Sequence, residues 1–216
     1  MKINFILTGE GSSDLRLVEH IENILILEGF SEVSGEAPDL GMFKPKTGRA
    51  VREKLNTLLK YYPNVDAIFI HRDADNAGRD AREQEIFSAT DGIVGIDRVV
   101  PIIPVSMLET WLLTDSEELK RVAGNSGYRN KLQSVPPIRQ LESIADTKQL
   151  LLDALCEASQ TQGGRLKRFK GRFSEMRARL TFDLDPGGSV NNLSSYKYFR
   201  EKVREFSQTK LAGTNE

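Results

Sequence analysis

Apolar residues in this chain gather into short unbroken runs through its first half and into helical stripes elsewhere. INFIL (Ile3–Leu7), DAIFIH (Asp66–His71) and RVVPIIPV (Arg98–Val105) have the length and continuity of strands buried on both faces. Ser31–Glu36 reads as a further strand. Between the runs the apolar positions return at helical spacing. A helix is predicted over Asp14–Glu28, with Leu15, Val18, Ile21, Ile24 and Leu25 on one face and Gly29 as its stop. A second is predicted from Thr47 to Tyr61, carrying Val51, Leu55, Leu58 and Leu59 and broken by Pro63. Ala37–Gly48 reads as loop. Ala77–Ala89 is predicted helical, and Val99–Val105 leads into a helix carrying Met107, Leu108, Trp111, Leu112 and Leu113. Strands alternating with helices imply a mostly parallel sheet flanked by helices, an α/β fold.

The pattern changes beyond residue 123. Gly124–Pro137 is rich in Gly, Asn and Pro, a junction. After it the periodicity is helical only. Thr147–Ser159 is capped by Asp146, Leu166–Leu180 is a basic helix or helix pair, and Ser194–Phe206 carries Tyr196, Phe199 and Val203. Thr209–Glu216 is a polar tail expected to fray. Two regions are expected: an α/β catalytic core over 1–123 and a helical region over 124–216, packed on or beside it.

Each main apolar run is followed by acid. Glu10 and Asp14 follow the first, Asp73 and Asp75 the second, and Glu109 the third. Parallel strands put their carboxyl ends along one crevice, where ligands bind. Five carboxylates brought together there repel one another unless a cation joins them. Oxygen donors without a His/Cys cluster favour Mg²⁺ or Mn²⁺. In GEGSSD, Gly9 and Gly11 permit a tight turn, and Gly11, Ser12 and Ser13 lead into a helix start suited to phosphate; the same serines can cap that helix. Asp73 and Asp75 are two apart, which in extended backbone places both on one side. Arg72 can pair with an aspartate or hold a phosphate. Glu109 reads either as a further ligand or base, or as the acid of a capping box begun by Ser106. Trp111 reads as a core anchor, His20 as structural, and His71 as packed or hydrogen-bonded.

Composition narrows the partners. Net charge is −1 in 216 residues, so nucleic-acid binding must rest on a local patch. RLKRFKGRFSEMRAR supplies one: Arg165, Lys167, Arg168, Lys170 and Arg172 stand beside Phe169 and Phe173. The alternative is a solvated helix face. The single Cys156 excludes an intrachain disulfide and a Cys-based zinc site, and is expected to be a buried small residue. No apolar stretch approaches the roughly 18 residues of a membrane span, and the N-terminus does not resemble a signal peptide. A cytoplasmic protein is expected. A Walker A pattern is absent, so ATP chemistry would have to come from a partner.

The order Glu10…Asp14, then Asp73-x-Asp75, each after a strand, resembles the TOPRIM domain of topoisomerases, bacterial primases and overcoming-lysogenization-defect (OLD) family nucleases. The segment Glu109-x-Trp111-Leu112-Leu113 looks like a small stand-alone TOPRIM-like family, domain-of-unknown-function family 4276. The resemblance covers roughly Met1–Asp115. It implies a Rossmann-like TOPRIM core with Mg²⁺ held by Glu10, Asp73 and Asp75, with Asp14 matching the Asp of the first motif. It also implies a nuclease function, with an AAA- or ABC-type ATPase encoded alongside and a role in phage defence. An extra Gly9 before the glutamate departs from the pattern, and no primase zinc module or topoisomerase tyrosine is identified. The expected activity is Mg²⁺-dependent phosphodiester hydrolysis of nucleic acid, with Glu10 or Glu109 as base; a homo-oligomer is compatible with it. The main alternative is a non-catalytic metal- or nucleic-acid-binding subunit of an ATPase complex. A haloacid-dehalogenase-like phosphatase ranks lower, because there the Asp-x-Asp follows the first strand. Nucleotidyltransferases keep a Gly-Ser turn much nearer their Asp-x-Asp.

Overall fold

The computed structural model describes residues 1–11 and 14–213. Strand β1 (Lys2–Thr8) is followed by a 3₁₀ turn (Asp14–Leu17) and α1 (Val18–Leu27). Then come β2 (Glu32–Glu36), α2 (Val51–Tyr61), β3 (Ala67–His71), α3 (Arg79–Thr90) and β4 (Val99–Ile102). The four strands form one sheet in the order β2-β1-β3-β4, and every neighbouring pair is parallel. The expected α/β class with a parallel sheet flanked by helices is therefore what the chain forms.

Alternation along the strands divides the core between the sheet's faces. Ile6, Ile68, Ile70, Val99 and Ile103 pack under Val51, Leu55 and Leu58 of α2 and Ile86 of α3. Ile3, Phe5, Leu7, Phe69, Val100 and Ile102 face the other way, towards Ile21, Ile24 and Leu25 of α1. All five residues of β3 are buried, as its unbroken apolar run requires. Beside it, β2 alternates exposed and half-buried residues, the pattern of an edge. Gly35 pairs with Phe5 in register. A Cβ on Gly35 would lie 2.2 Å from the Phe5 ring, so only glycine leaves room for it.

The later helices complete the second face. They are α4 (Glu109–Leu112), α5 (Ser116–Val122), α6 (Ile138–Leu141), α7 (Thr147–Ser159), α8 (Gly163–Lys170), α9 (Phe173–Phe182) and α10 (Ser194–Ala212). Leu151 and Leu155 of α7, Met176 and Leu180 of α9, and Tyr196, Phe199 and Val203 of α10 share one hydrophobic cluster with Phe5, Leu7 and Trp111. Trp111 is fully buried against Tyr196 and Phe199 and donates its indole N–H to Ser195 Oγ at 2.9 Å. It is the expected anchor, and it joins residues on both sides of position 123.

Several boundaries differ from expectation for local reasons. The first helix opens as a 3₁₀ turn. The second starts at Val51, because Glu53 reaches back to the Ala50 N–H and leaves Thr47 and Gly48 in the loop. The basic segment resolves into the pair α8 and α9. The last helix runs on to Ala212, so Thr209–Ala212 is ordered helix and not frayed tail. Cys156 is half-buried, where full burial is expected. Among the described residues no helix is long and apolar enough to cross a membrane.

Candidate functional site

The crevice lies at the carboxyl ends of β1, β3 and β4. Asp14 closes the turn after β1: its Oδ2 accepts the Gly11 N–H at 2.9 Å. Beyond β3 and β4 the backbone ladder continues, with Arg72 N–H donating to Ile102 O, Ala74 to Pro104 and Asp75 to Ser106 at 2.9–3.2 Å. That extension holds Asp73 beside the entry to α4, where its Oδ1 accepts the Leu108 N–H at 3.1 Å. Glu109, the first residue of α4, is buried.

Asp14, Asp73 and Glu109 line one cavity of about 450 Å³, together with Lys148, Lys170 and Arg177. Arg177 comes from α9 and is itself buried. Its Nη2 lies 3.1 Å from Asp14 Oδ1 and its Nε 2.6 Å from Glu109 Oε1, while Nη1 is buried with no partner. His71 stands between the acids, with Nδ1 3.4 Å from Asp14 and Nε2 3.5 Å from Asp73. Both distances exceed a good hydrogen bond, and both ring nitrogens are buried without a closer partner.

The electrostatics follow from this geometry. Burial drives Asp73 up to about 6, and Asp14, Glu10 and Glu109 push the same way against the opposing pull of His71. Asp14 moves the other way: burial raises it, but His71, the Gly11 N–H and Arg177 together outweigh burial. His71 is held above its ordinary value, because its neighbours Asp14 and Asp73 outweigh the cost of burying its charge.

The convergence of acids is only partial. Glu10 points into a neighbouring cleft and pairs with Arg72 at 2.9 Å. Asp75 does not share a side with Asp73. It takes a left-handed conformation (φ 41°), which ends the extended run on which the alternation depends; its exposed carboxylate lies 3.8 Å from Arg82. The capping box does not form either: Ser106 is also left-handed, and its hydroxyl donates to Ile144 O at 2.9 Å. Arg72 binds Glu10 and Glu85 and not an aspartate. Gly11 lines the Glu10 cleft; Ser12 and Ser13 lie outside the described residues.

The basic run separates by helical position. Arg165, Lys167 and Arg168 of α8 are solvent-exposed, and Arg172 pairs with Glu175 at 3.0 Å. Lys170 reaches the cavity, and so does Lys148 from α7. Reasoning from the sequence missed Lys148, and read Arg177 as part of the basic surface and not as the buried partner of Asp14 and Glu109. For Arg177 a signal existed: Phe173, Arg177 and Leu180 share the inward face of one helix.

No family profile, curated protein or solved structure matches the chain. The oxygen donors suit a hard cation. Asp14 and Glu109 share one buried guanidinium, while Asp73, in the same cavity, is raised by burial and by the neighbouring acids. Yet among the described residues no group of three His, Cys, Asp or Glu side chains is arranged to hold an ion as they stand. Arg177 and Arg72 hold three of the five acids instead.

Proposed function

We propose that this chain is a Mg²⁺- or Mn²⁺-dependent phosphodiester hydrolase of the TOPRIM type, acting on nucleic acid. The reading rests above all on Asp14, Asp73 and Glu109 meeting in one cavity after three parallel strands. Carboxylates massed at the carboxyl ends of such strands are the arrangement in which a hard cation meets a phosphate. Asp14, Asp73 and Glu109 are the residues that would hold the ion; Glu10, in the neighbouring cleft, and Asp75, outside the cavity, stand apart from them. Bound there, a divalent ion supplies neutralisation of the phosphate and activation of water.

The chain's own residues have separate tasks. Lys148 and Lys170 offer exposed cations lining the cavity, and Arg165, Lys167 and Arg168 extend the positive surface along α8. His71 lies between Asp14 and Asp73, 3.4 and 3.5 Å from their carboxylates, and both acids favour its positive charge. Through the same resemblance the reading extends to a phage-defence or toxin-like pair with an ATPase.

The test is cleavage of supercoiled plasmid, linear DNA and structured RNA with Mg²⁺, Mn²⁺ or EDTA, wild type beside Asp73→Ala. Metal-dependent cutting by wild type, lost in the variant with the fold intact, is the expected result. Full activity in Asp73→Ala would overturn the assignment.

A second reading is favoured by one observation: Arg177 already pairs with both Asp14 and Glu109 from within the chain. On that reading the protein is a non-catalytic subunit that binds nucleic acid for a partner ATPase. Wild type that binds but cuts none of the three substrates alone would support it.

A further inference from the structure

On the β2 side of the crevice lies a second cleft, of about 470 Å³. The sheet topology gives this place significance. The crossover from β1 leads to β2 on one side, and the crossover from β2 leads to β3 on the other. The ends of β1 and β3 therefore flank the point where the connections diverge, the position at which α/β sheets bind ligands. The cleft is lined from each of these segments: Glu10 after β1, Asp39, Lys46 and Arg49 after β2, Lys54 on α2, and Arg72 after β3.

Its charge is predominantly positive. Glu10 and Arg72 neutralise each other. That leaves Lys46, Arg49 and Lys54 against Asp39, whose Oδ1 already accepts the Gly41 N–H at 2.9 Å. Lys46 and Arg49 are exposed and make no ion pair among the described residues. Lys54 is half-buried and donates to Gly9 O at 2.7 Å, which aims its ammonium along the cleft wall. Arg72 brings a buried Nε that has no partner. Burial, and then the nearby Arg72, lower the Lys54 pKa against the opposing pull of Glu10, Asp14 and Glu85.

The wall carrying Lys46 and Arg49 is anchored to α2. Phe43 packs on Tyr61 with ring centroids 4.6 Å apart, Thr47 donates to Thr57 at 3.2 Å, and the Ala50 N–H reaches Glu53 at 3.1 Å. The cations thus project from an anchored loop, which lowers the cost of ordering that wall around an anion.

We infer that this cleft is a phosphate-binding subsite for a nucleotide, either free or within a strand. The inference goes beyond the proposed hydrolysis and does not depend on it. It explains a concentration of cations at a cleft that the carboxylate cavity does not need.

The test measures binding in EDTA, so that no cleavage contributes. Fluorescence anisotropy would follow a fluorescein-labelled single-stranded oligonucleotide and an N-methylanthraniloyl-ADP. Wild type is compared with Lys46→Glu/Arg49→Glu, and with Lys197→Glu/Arg204→Glu on exposed positions of α10, which changes net charge equally. Affinity at least tenfold below both wild type and the α10 variant is expected for whichever probe wild type binds. For the strand, the salt dependence should also become shallower by roughly 1.4 in log–log slope, the loss of two phosphate contacts. Loss with the oligonucleotide alone assigns the phosphate to a strand; loss with the nucleotide assigns it to a free ligand. Equal affinities in the two variants, or no binding of either probe by wild type, would overturn the inference. Loss of binding in a protein that cuts nothing would leave the inference standing and remove only the hydrolase reading.

Discussion

At the scale of single residues, buried charge governs this molecule. Arg177 joins Asp14 and Glu109, and all three are more than nine-tenths buried. Removing the guanidinium leaves two carboxylates uncompensated in the interior. Arg177→Ala should therefore lower unfolding free energy by about 3–5 kcal/mol, read as a shift in urea midpoint; a loss below about 1 kcal/mol, typical of exposed pairs, would show that the acids are neutralised otherwise. His20 illustrates the opposite case. It is fully buried, and its Nδ1–H donates to Leu184 O while Nε2 accepts from the Tyr196 hydroxyl at 2.9 Å. Leu184 O can only accept, which sets the neutral tautomer. Burial lowers the His20 pKa to about 4 from an ordinary 6.5. The unfolded chain takes up its proton first, so this contribution is complete above pH 6.5 and is lost as pH falls towards 4. The loss amounts to about 3 kcal/mol. Urea titrations across that window should show the decline in wild type and a flatter profile in His20→Asn.

At the scale of elements, close contact between strands is the demanding feature. Edge strand β2 has little apolar surface of its own and is held by its ladder to β1 and by the Gly35 N–H donating to Glu22 of α1 at 2.8 Å. Gly35 also accommodates the Phe5 ring. Gly35→Val would force that ring out of its place against Phe69, 5.0 Å away between centroids. A destabilisation of about 1–3 kcal/mol is expected, with increased hydrogen exchange confined to β2 and the start of β1. An unchanged urea midpoint would contradict the packing described. The loop before α2 belongs to this scale too: its anchoring by Phe43 and Thr47 makes it a cleft wall, although its sequence reads only as loop.

At the scale of the whole molecule, Trp111 joins the sheet to the C-terminal helices. It is the chain's one tryptophan, and its neighbours Tyr196, Phe199 and Ser195 come from the last helix. Its fluorescence therefore reports the junction of residues 1–123 with 124–216. Because both parts contribute to one hydrophobic cluster, tryptophan emission and far-UV circular dichroism should lose their native signals at the same urea concentration. Two separated transitions would mean that the helical region unfolds independently.

What the sequence determined by itself was whatever depends on local spacing. Unbroken apolar runs marked β1, β3 and β4, and stripes three and four apart marked the helices, because buried faces must recur with the period of their element. The acids after the strands, and so Asp14, Asp73 and Glu109 as site candidates, were legible for the same reason. What only the tertiary structure decided was which charges meet. Nothing near Asp14 in sequence announces Arg177, which lies 163 residues away and arrives through the packing of α9. Spacing placed Asp75 beside Asp73, but a left-handed turn that continues the β3–β4 ladder separated them. The cation-lined cleft likewise draws its residues from three strand ends and α2. Local periodicity sets each element; long-range packing, satisfying buried charge wherever the chain can reach it, sets the site.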